Sequence, residues 1–368
     1  MNLQLNYHDI LQQIGTIDPI KYSRERNFIN GAVSYLSPYI SRGIISTKQV
    51  AHHILEKGFT AEQSEKFIQE LAWRDYWQLV WKNQGNIDKD LKQVQVDVNN
   101  EEIPVAVDHA KTGIQSIDSA IEHMFEIGYM HNHIRMYVAS ICCNIGKSHW
   151  LEPAKWMYYH LLDADWGSNA LSWQWVAGTN SSKKYFANQA NINKYTHSNQ
   201  KDTFLDSSYE ELMTMDCPEI LEVTHIPHQI TNLPENLPIH VSRIKPTLIY
   251  NFYNLDSKWR QNEDVNRVLL LEPSHFEEYP ICDKSVNFMI NFAKENIKDI
   301  QIYTGEFEKF RKQYSLTNIL YKEHPFNSHY QGTEDKREWL FIDKGYYSSF
   351  FKFWNEYKNQ LRPWQESA

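Results

Sequence analysis

Apolar positions recur at helical spacing over residues 61–82, where Ile68, Leu71, Ala72 and Leu79 fall on one side. Glu70, Trp73, Arg74 and Trp77 follow at i, i+3, i+4 and i+7 on the other side. An ordinary solvated face would carry Lys, Glu and Gln, so an acid, a base and two indoles side by side stand out. The plainer reading is a Glu70–Arg74 pair covering two half-buried tryptophans. Asp75 falls inside the apolar sector and needs a partner there. The same spacing predicts helices over 7–14, from a cap at Ser46 or Thr47 to Gly58, over 114–127, and from about residue 130. In that last helix Asn132, Arg135 and Met136 share one face, and Ile134, Val138 and Ile141 the opposite one. Residues 84–112 are polar and irregular and read as a loop.

The stretch 150–175 is the most concentrated. Glu152-Pro153 suits a helix start, and that helix runs to about Leu162. A turn over 163–167 follows, then a second helix carrying Asn169 and Trp173 at i, i+4. Asp163, Asp165 and Asn169 lie among five tryptophans, Trp150, Trp156, Trp166, Trp173 and Trp175. Polar groups held against large rings must find partners, and a polar, ring-bearing ligand would supply them. A tryptophan-rich helical core with two surface aspartates is the plainer alternative.

After residue 195 the pattern changes. Residues 197–245 are polar and proline-bearing and read as a linker or extended wrap. From Pro246 short apolar runs at 247–253, 267–273, 300–305 and 318–324 read as strands, with helices over 285–297 and 306–314 between the later ones. Such runs alternating with helices predict a small parallel sheet. An aromatic-rich helix over 345–361 closes the chain. The expected fold is mostly α: a helical domain over 1–200, a linker over 201–245, and a smaller C-terminal α/β domain over 246–368 with a short parallel sheet.

Composition narrows the chemistry. The 368 residues are 42% hydrophobic and carry a formal net charge of −9, so no global field draws the chain to nucleic acid. Nucleic-acid binding would need a local basic patch. Four cysteines show no C-x-x-C spacing and read as reduced thiols, and no metal site is expected. No signal peptide is seen and no apolar run reaches membrane-spanning length. The expectation is a soluble, cytoplasmic monomer. There is no G-x-G-x-x-G, so a dinucleotide would not be held in the Rossmann manner. His131, Asn132 and His133 spell the letters of a nuclease motif, but three consecutive helical residues do not make that site.

Four blocks in order, Tyr22–Ser37, Glu70–Trp77 (ELAWRDYW), Met130–Met136 (MHNHIRM) and Asp163–Trp175 (DADWGSNALSWQW), resemble the FAD-binding domain of the photolyase/cryptochrome flavoproteins. The resemblance implies that FAD is bound. Tyr22, Ser34, Leu36 and Ser37 resemble the segment holding its diphosphate, and serines with exposed amides suit that charge. Asp163 and Asp165 resemble the acidic pair facing the flavin and its sugar side, with Arg135 as partner of Asp163. Asn169 resembles the residue beside flavin N5, where an amide can share a hydrogen. Glu70, Trp73, Arg74, Asn132, Met136 and Trp175 resemble the lesion pocket, with Arg26 and Arg74 suited to backbone phosphates. Trp173 and Trp150 match the proximal and middle members of an electron-transfer chain. Asp97 stands where a third tryptophan is usual, leaving Trp81 and Trp156 as candidates. Tyr35 stands where the phosphate motif often has Arg. The family's N-terminal α/β antenna domain is missing before residue 22, and the pattern after Pro246 looks like such a domain moved and shortened. A second, antenna chromophore is left unknown.

The function so implied is light-driven DNA repair. An electron passes from reduced FAD to a flipped cyclobutane pyrimidine dimer, with Glu70, Asn132, Trp173 and Trp150 as catalytic residues. The acidic net charge suggests a preference for single-stranded DNA. The rival is a cryptochrome-like blue-light photoreceptor without repair activity. The expected partner is DNA containing pyrimidine dimers, with no membrane.

Overall fold

A computed structural model describes residues 3–341, 345–361 and 364. Helices dominate, and a five-stranded parallel sheet lies in the C-terminal region. The mostly-α chain with a smaller α/β part is therefore the observed fold class. The chain forms two compact units that interleave in sequence. One comprises Met1–Ile20, Ser34–Gly85 and Ile230–Ala368, and the other Lys21–Val33 and Asn86–Gln229.

In the first unit the strands run, across the sheet, Ile300–Thr304, Asn266–Leu271, Thr247–Tyr250, Ile319–Lys322 and Thr333–Asp335, every neighbour parallel. Thr247–Tyr250 and Asn266–Leu271 are buried at every position, and their apolar parts, 248–250 and 268–271, carry the strand signal in the sequence. Phe307 and Phe310, from the helix Phe307–Gln313, pack with Ile249, Val268 and Leu270. The fifth strand was not expected from the sequence. It is a polar edge, Thr333-Glu334-Asp335, with no buried side to leave a pattern.

The helix Ala61–Gln84 belongs to this unit. It opens on a capping box in which Thr60 and Gln63 satisfy each other's backbone N–H groups. Ile68, Leu71, Ala72 and Leu79 are all buried. Asp75, the misfit of the apolar face, finds its partners: it accepts the Thr47 hydroxyl at 3.0 Å and the Leu340 N–H at 2.7 Å. Burial pushes its carboxyl up, opposed by Arg337 and those hydrogen bonds. Further along, Trp81 meets Phe326 edge-on at 4.5 Å. The closing helix, Phe350–Tyr357, is shorter than its aromatic sequence suggested. It buries Phe350, Phe353, Trp354 and Tyr357 and leaves Phe351 exposed. Phe350 stacks on Trp73 with centroids 3.6 Å apart.

In the second unit the helices Gln115–Ile127, Asn132–Ser140, Leu151–His160 and Trp166–Ala177 form the core, and Trp166–Ala177 packs on both Asn132–Ser140 and Leu151–His160. The helix Asn132–Ser140 continues into a π-helical turn, Ile141–Ile145. Cys142 and Cys143 sit there, buried and unbridged, and burial raises both thiols, leaving them unreactive. Among the described residues no helix is long and apolar enough to cross a membrane.

Replacing Asp75 with Ala would strand the Leu340 N–H and the Thr47 hydroxyl in a dry interior. The expected cost is about 1–3 kcal/mol of unfolding free energy, read as a lower urea midpoint at unchanged slope.

Candidate functional site

The second unit gathers most of the candidate residues. Asp163 follows the helix Leu151–His160 in a turn, and Asp165 caps the helix Trp166–Ala177 by accepting the Ser168 N–H at 3.0 Å. Arg135 reaches this turn from the helix Asn132–Ser140. Its guanidinium lies 3.0 Å from the Asp163 carboxylate and also donates to the Met130 carbonyl at 2.8 Å. Both partners are largely removed from solvent, with 19% and 7% of their side chains exposed. A pair so placed is held in one geometry and fixes a charge at the turn. Asn169 donates its amide to the Ala154 carbonyl at 2.7 Å, which orients the side chain. Trp173 is buried, whereas Trp175 is exposed and tilts over Tyr185.

The turn is braced by a glycine. Gly128 ends the helix Gln115–Ile127 in the left-handed region, at φ +73°, and its carbonyl accepts the Leu162 N–H at 2.8 Å. A Cβ at this position would lie 2.6 Å from Leu162 Cγ. Only glycine meets both demands, the backbone conformation and the close approach.

Asn132 is exposed and Met136 half-buried on the same helix. His131 caps that helix, its Nδ1 accepting the His133 N–H at 3.2 Å. Its ring is buried, with the Arg26 backbone as a further neighbour. Burial, reinforced by His133 and Arg135, pushes its pKa down to about 4. Tyr22 lies on the short helix Pro19–Glu25, and Arg26 follows it, donating to the Ser23 carbonyl at 2.8 Å. Among the described residues no group of three or more His, Cys, Asp or Glu could hold a metal ion.

The remaining candidates lie in the first unit. Glu70, Trp73 and Arg74 are half-buried on the helix Ala61–Gln84, and Arg74 donates to the Ser41 hydroxyl. Ser34 and Ser37 are half-buried and Leu36 is buried, with the Ser34 carbonyl accepting from Gln13 at 2.9 Å. Between them Tyr35 takes φ +53°, an uncommon conformation for a bulky residue and a sign of local strain.

One set of residues escaped the sequence. Three buried indoles of the second unit each donate N–H to a carboxylate from the irregular 86–108 stretch. Trp150 pairs with Asp90 at 2.7 Å, Trp156 with Asp108 at 2.7 Å, and Trp166 with Asp88 at 2.8 Å. Several buried polar atoms among the described residues of this unit, the Ser168 hydroxyl and the Asn180 amide nitrogen among them, keep their hydrogen-bonding capacity unused by protein. A dinucleotide rich in hydroxyls, phosphates and ring nitrogens has the complementary groups, so the donor set fits FAD.

Comparison with known proteins agrees in kind. Residues 67–243 match the family model described as the FAD binding domain of DNA photolyase. A deoxyribodipyrimidine photo-lyase of Alkalihalophilus pseudofirmus is 30% identical over 162 residues, 42% of this chain and 34% of its own length. One of Streptomyces griseus is 32% identical over 150 residues, covering 40% and 32%. The chain thus spans about a third of the length of the curated relatives it matches. A class III photolyase structure from Agrobacterium tumefaciens is 30% identical and superposes with a TM-score of 0.38 over 47% of this chain and 37% of that one.

His131 is expected to stay neutral through the physiological range, titrating by NMR near pH 4 and not near its unperturbed value of about 6.5. Its folded-state pKa lies below the unfolded one, so it contributes stability that is lost as pH falls from about 6.5 toward 4. Replacing His131 with Gln should flatten the stability profile in that window.

Proposed function

We propose, from the premise that this chain belongs through its FAD-binding domain to the photolyase/cryptochrome family, that it is a light-driven DNA repair enzyme acting on cyclobutane pyrimidine dimers. The observation that carries this reading is the semi-buried Arg135–Asp163 ion pair, inside the segment that matches the flavin domain. A fixed positive charge compensated by a carboxylate is what a cofactor with an anionic reduced form needs nearby.

When bound, reduced FAD would supply light absorption and the single electron that opens the dimer's cyclobutane ring, and would recover that electron afterwards. The chain's residues do the rest. Arg135, Asp163, Asp165 and Asn169 hold and orient the ring system. Tyr22, Ser34, Leu36 and Ser37 serve the diphosphate. Glu70 and Asn132 hydrogen-bond the flipped bases and stabilise charge arriving on them. Trp73, Met136 and Trp175 offer apolar surface, and Arg26 and Arg74 meet phosphates flanking the lesion. Trp173 and Trp150 return electrons to the cofactor. Residues 1–200 carry this chemistry, and 246–368 a supporting α/β layer. The net charge of −9 opposes tight duplex binding, and flipping costs least where no pairing is broken, so single-stranded DNA is the preferred substrate.

The test is repair of a thymine-dimer oligonucleotide by reduced protein, in blue light and in darkness, single- and double-stranded. Repair should depend on light and run faster on the single strand. Glu70→Ala should lower repair about a hundredfold while leaving flavin photoreduction intact. A yellow, photoreducible protein that repairs neither substrate would instead be a photoreceptor.

A further inference from the structure

Trp150 is fully buried, yet its indole nitrogen is not isolated from the surface. The N–H donates to Asp90 Oδ1 at 2.7 Å. The same oxygen lies 3.4 Å from His149 Nε2. Asp90 keeps 15% of its side chain exposed and His149 24%. A line therefore runs from a dry indole through a carboxylate to an imidazole in touch with water. Gln95 locks it: its side-chain oxygen accepts the Trp150 backbone N–H at 3.0 Å, and its own N–H donates to Asp90 Oδ2 at 2.8 Å.

Hydrogen-bond satisfaction alone would explain the first contact. It does not explain a basic group placed beyond the carboxylate. Losing an electron from an indole ring makes its N–H far more acidic, and a proton then moves readily along a short, charged hydrogen bond.

We propose that Asp90 is the proton acceptor for oxidised Trp150, which makes Trp150 the last protein electron donor of the chain and removes the need for a third tryptophan. The inference rests on the flavin reading above. One electron leaves Trp150, by way of Trp173, for the photoexcited oxidised flavin, which is reduced by one electron. The indole N–H bond breaks, its proton forms an O–H bond with Asp90 Oδ1, and Trp150 is left as a neutral radical. The proton passes to His149 and then to water. A thiol reductant in solution later returns one electron, and water one proton, to Trp150. Charge cannot recombine quickly with a radical that has already lost its proton, so the reduced flavin survives.

Flash photolysis of the flavin-loaded protein tests this, with visible absorption following the radical's protonation state and time-resolved infrared following carboxyl groups. Unaltered protein should show a neutral tryptophan radical appearing together with a protonated-carboxyl band. In Asp90→Asn, which keeps an acceptor oxygen for the indole but no base, neutral-radical formation should slow about a hundredfold, and Asp90→Glu should restore it. A neutral radical without a carboxyl band in unaltered protein would overturn the proposal whether or not the variants fold. So would a radical that disappears in Trp156→Phe and persists in Trp150→Phe, because the parallel line through Asp108 and His225 would then be the one used. Flavin absorbance and dimer repair are read separately, so failure of the repair reading remains distinguishable from failure of this one.

Discussion

A buried indole must give its N–H to something, and in this chain that requirement ties an irregular loop to the helical core. Trp150, Trp156 and Trp166 are each fully buried, and each donates to an aspartate between residues 88 and 108. The loop has almost no regular structure to hold it. Three charge-assisted hydrogen bonds, each stronger than a neutral one, fix it at three points. The helices Leu151–His160 and Trp166–Ala177 are positioned by the same contacts that satisfy their rings. The turn between those helices carries Asp163, so the Arg135–Asp163 pair depends indirectly on the loop's aspartates.

The helix Ala61–Gln84 shows a comparable economy in the first unit. Its apolar face makes core, and Asp75 on that face ties together the start of the helix Thr47–Glu56 and the chain at Leu340. Trp81 packs at the carboxyl end of the sheet, edge-on to Phe326. Trp73 has one face covered by Phe350 at stacking distance, so its indole is held in place.

What the sequence revealed follows from the range of the interactions concerned. Helices with one apolar face, such as 61–84 and 115–127, and the buried strands 247–250 and 266–271 write their burial into local periodicity. The strand 333–335 buries little and wrote nothing. The Arg135–Asp163 contact was anticipated because two compact motifs, each distinctive, carried it. The indole–carboxylate pairs were not, since their members stand 60, 48 and 78 residues apart in a stretch that reads only as polar. The π turn at 141–145 was read as plain helix, because nothing in Ile-Cys-Cys-Asn-Ile distinguishes the two.

Gly128 bears on how this protein can be re-engineered. Its carbonyl is bound to Leu162 and its missing side chain leaves room for that leucine, one residue before Asp163. A mutant library aimed at the 161–169 turn inherits a hidden dependency 34 residues upstream. Larger residues at 162 compete for the same space, and no alteration of the turn alone can relieve the conflict. Randomising the turn while holding position 128 as glycine, and position 162 no bulkier than leucine, keeps the library within foldable variants.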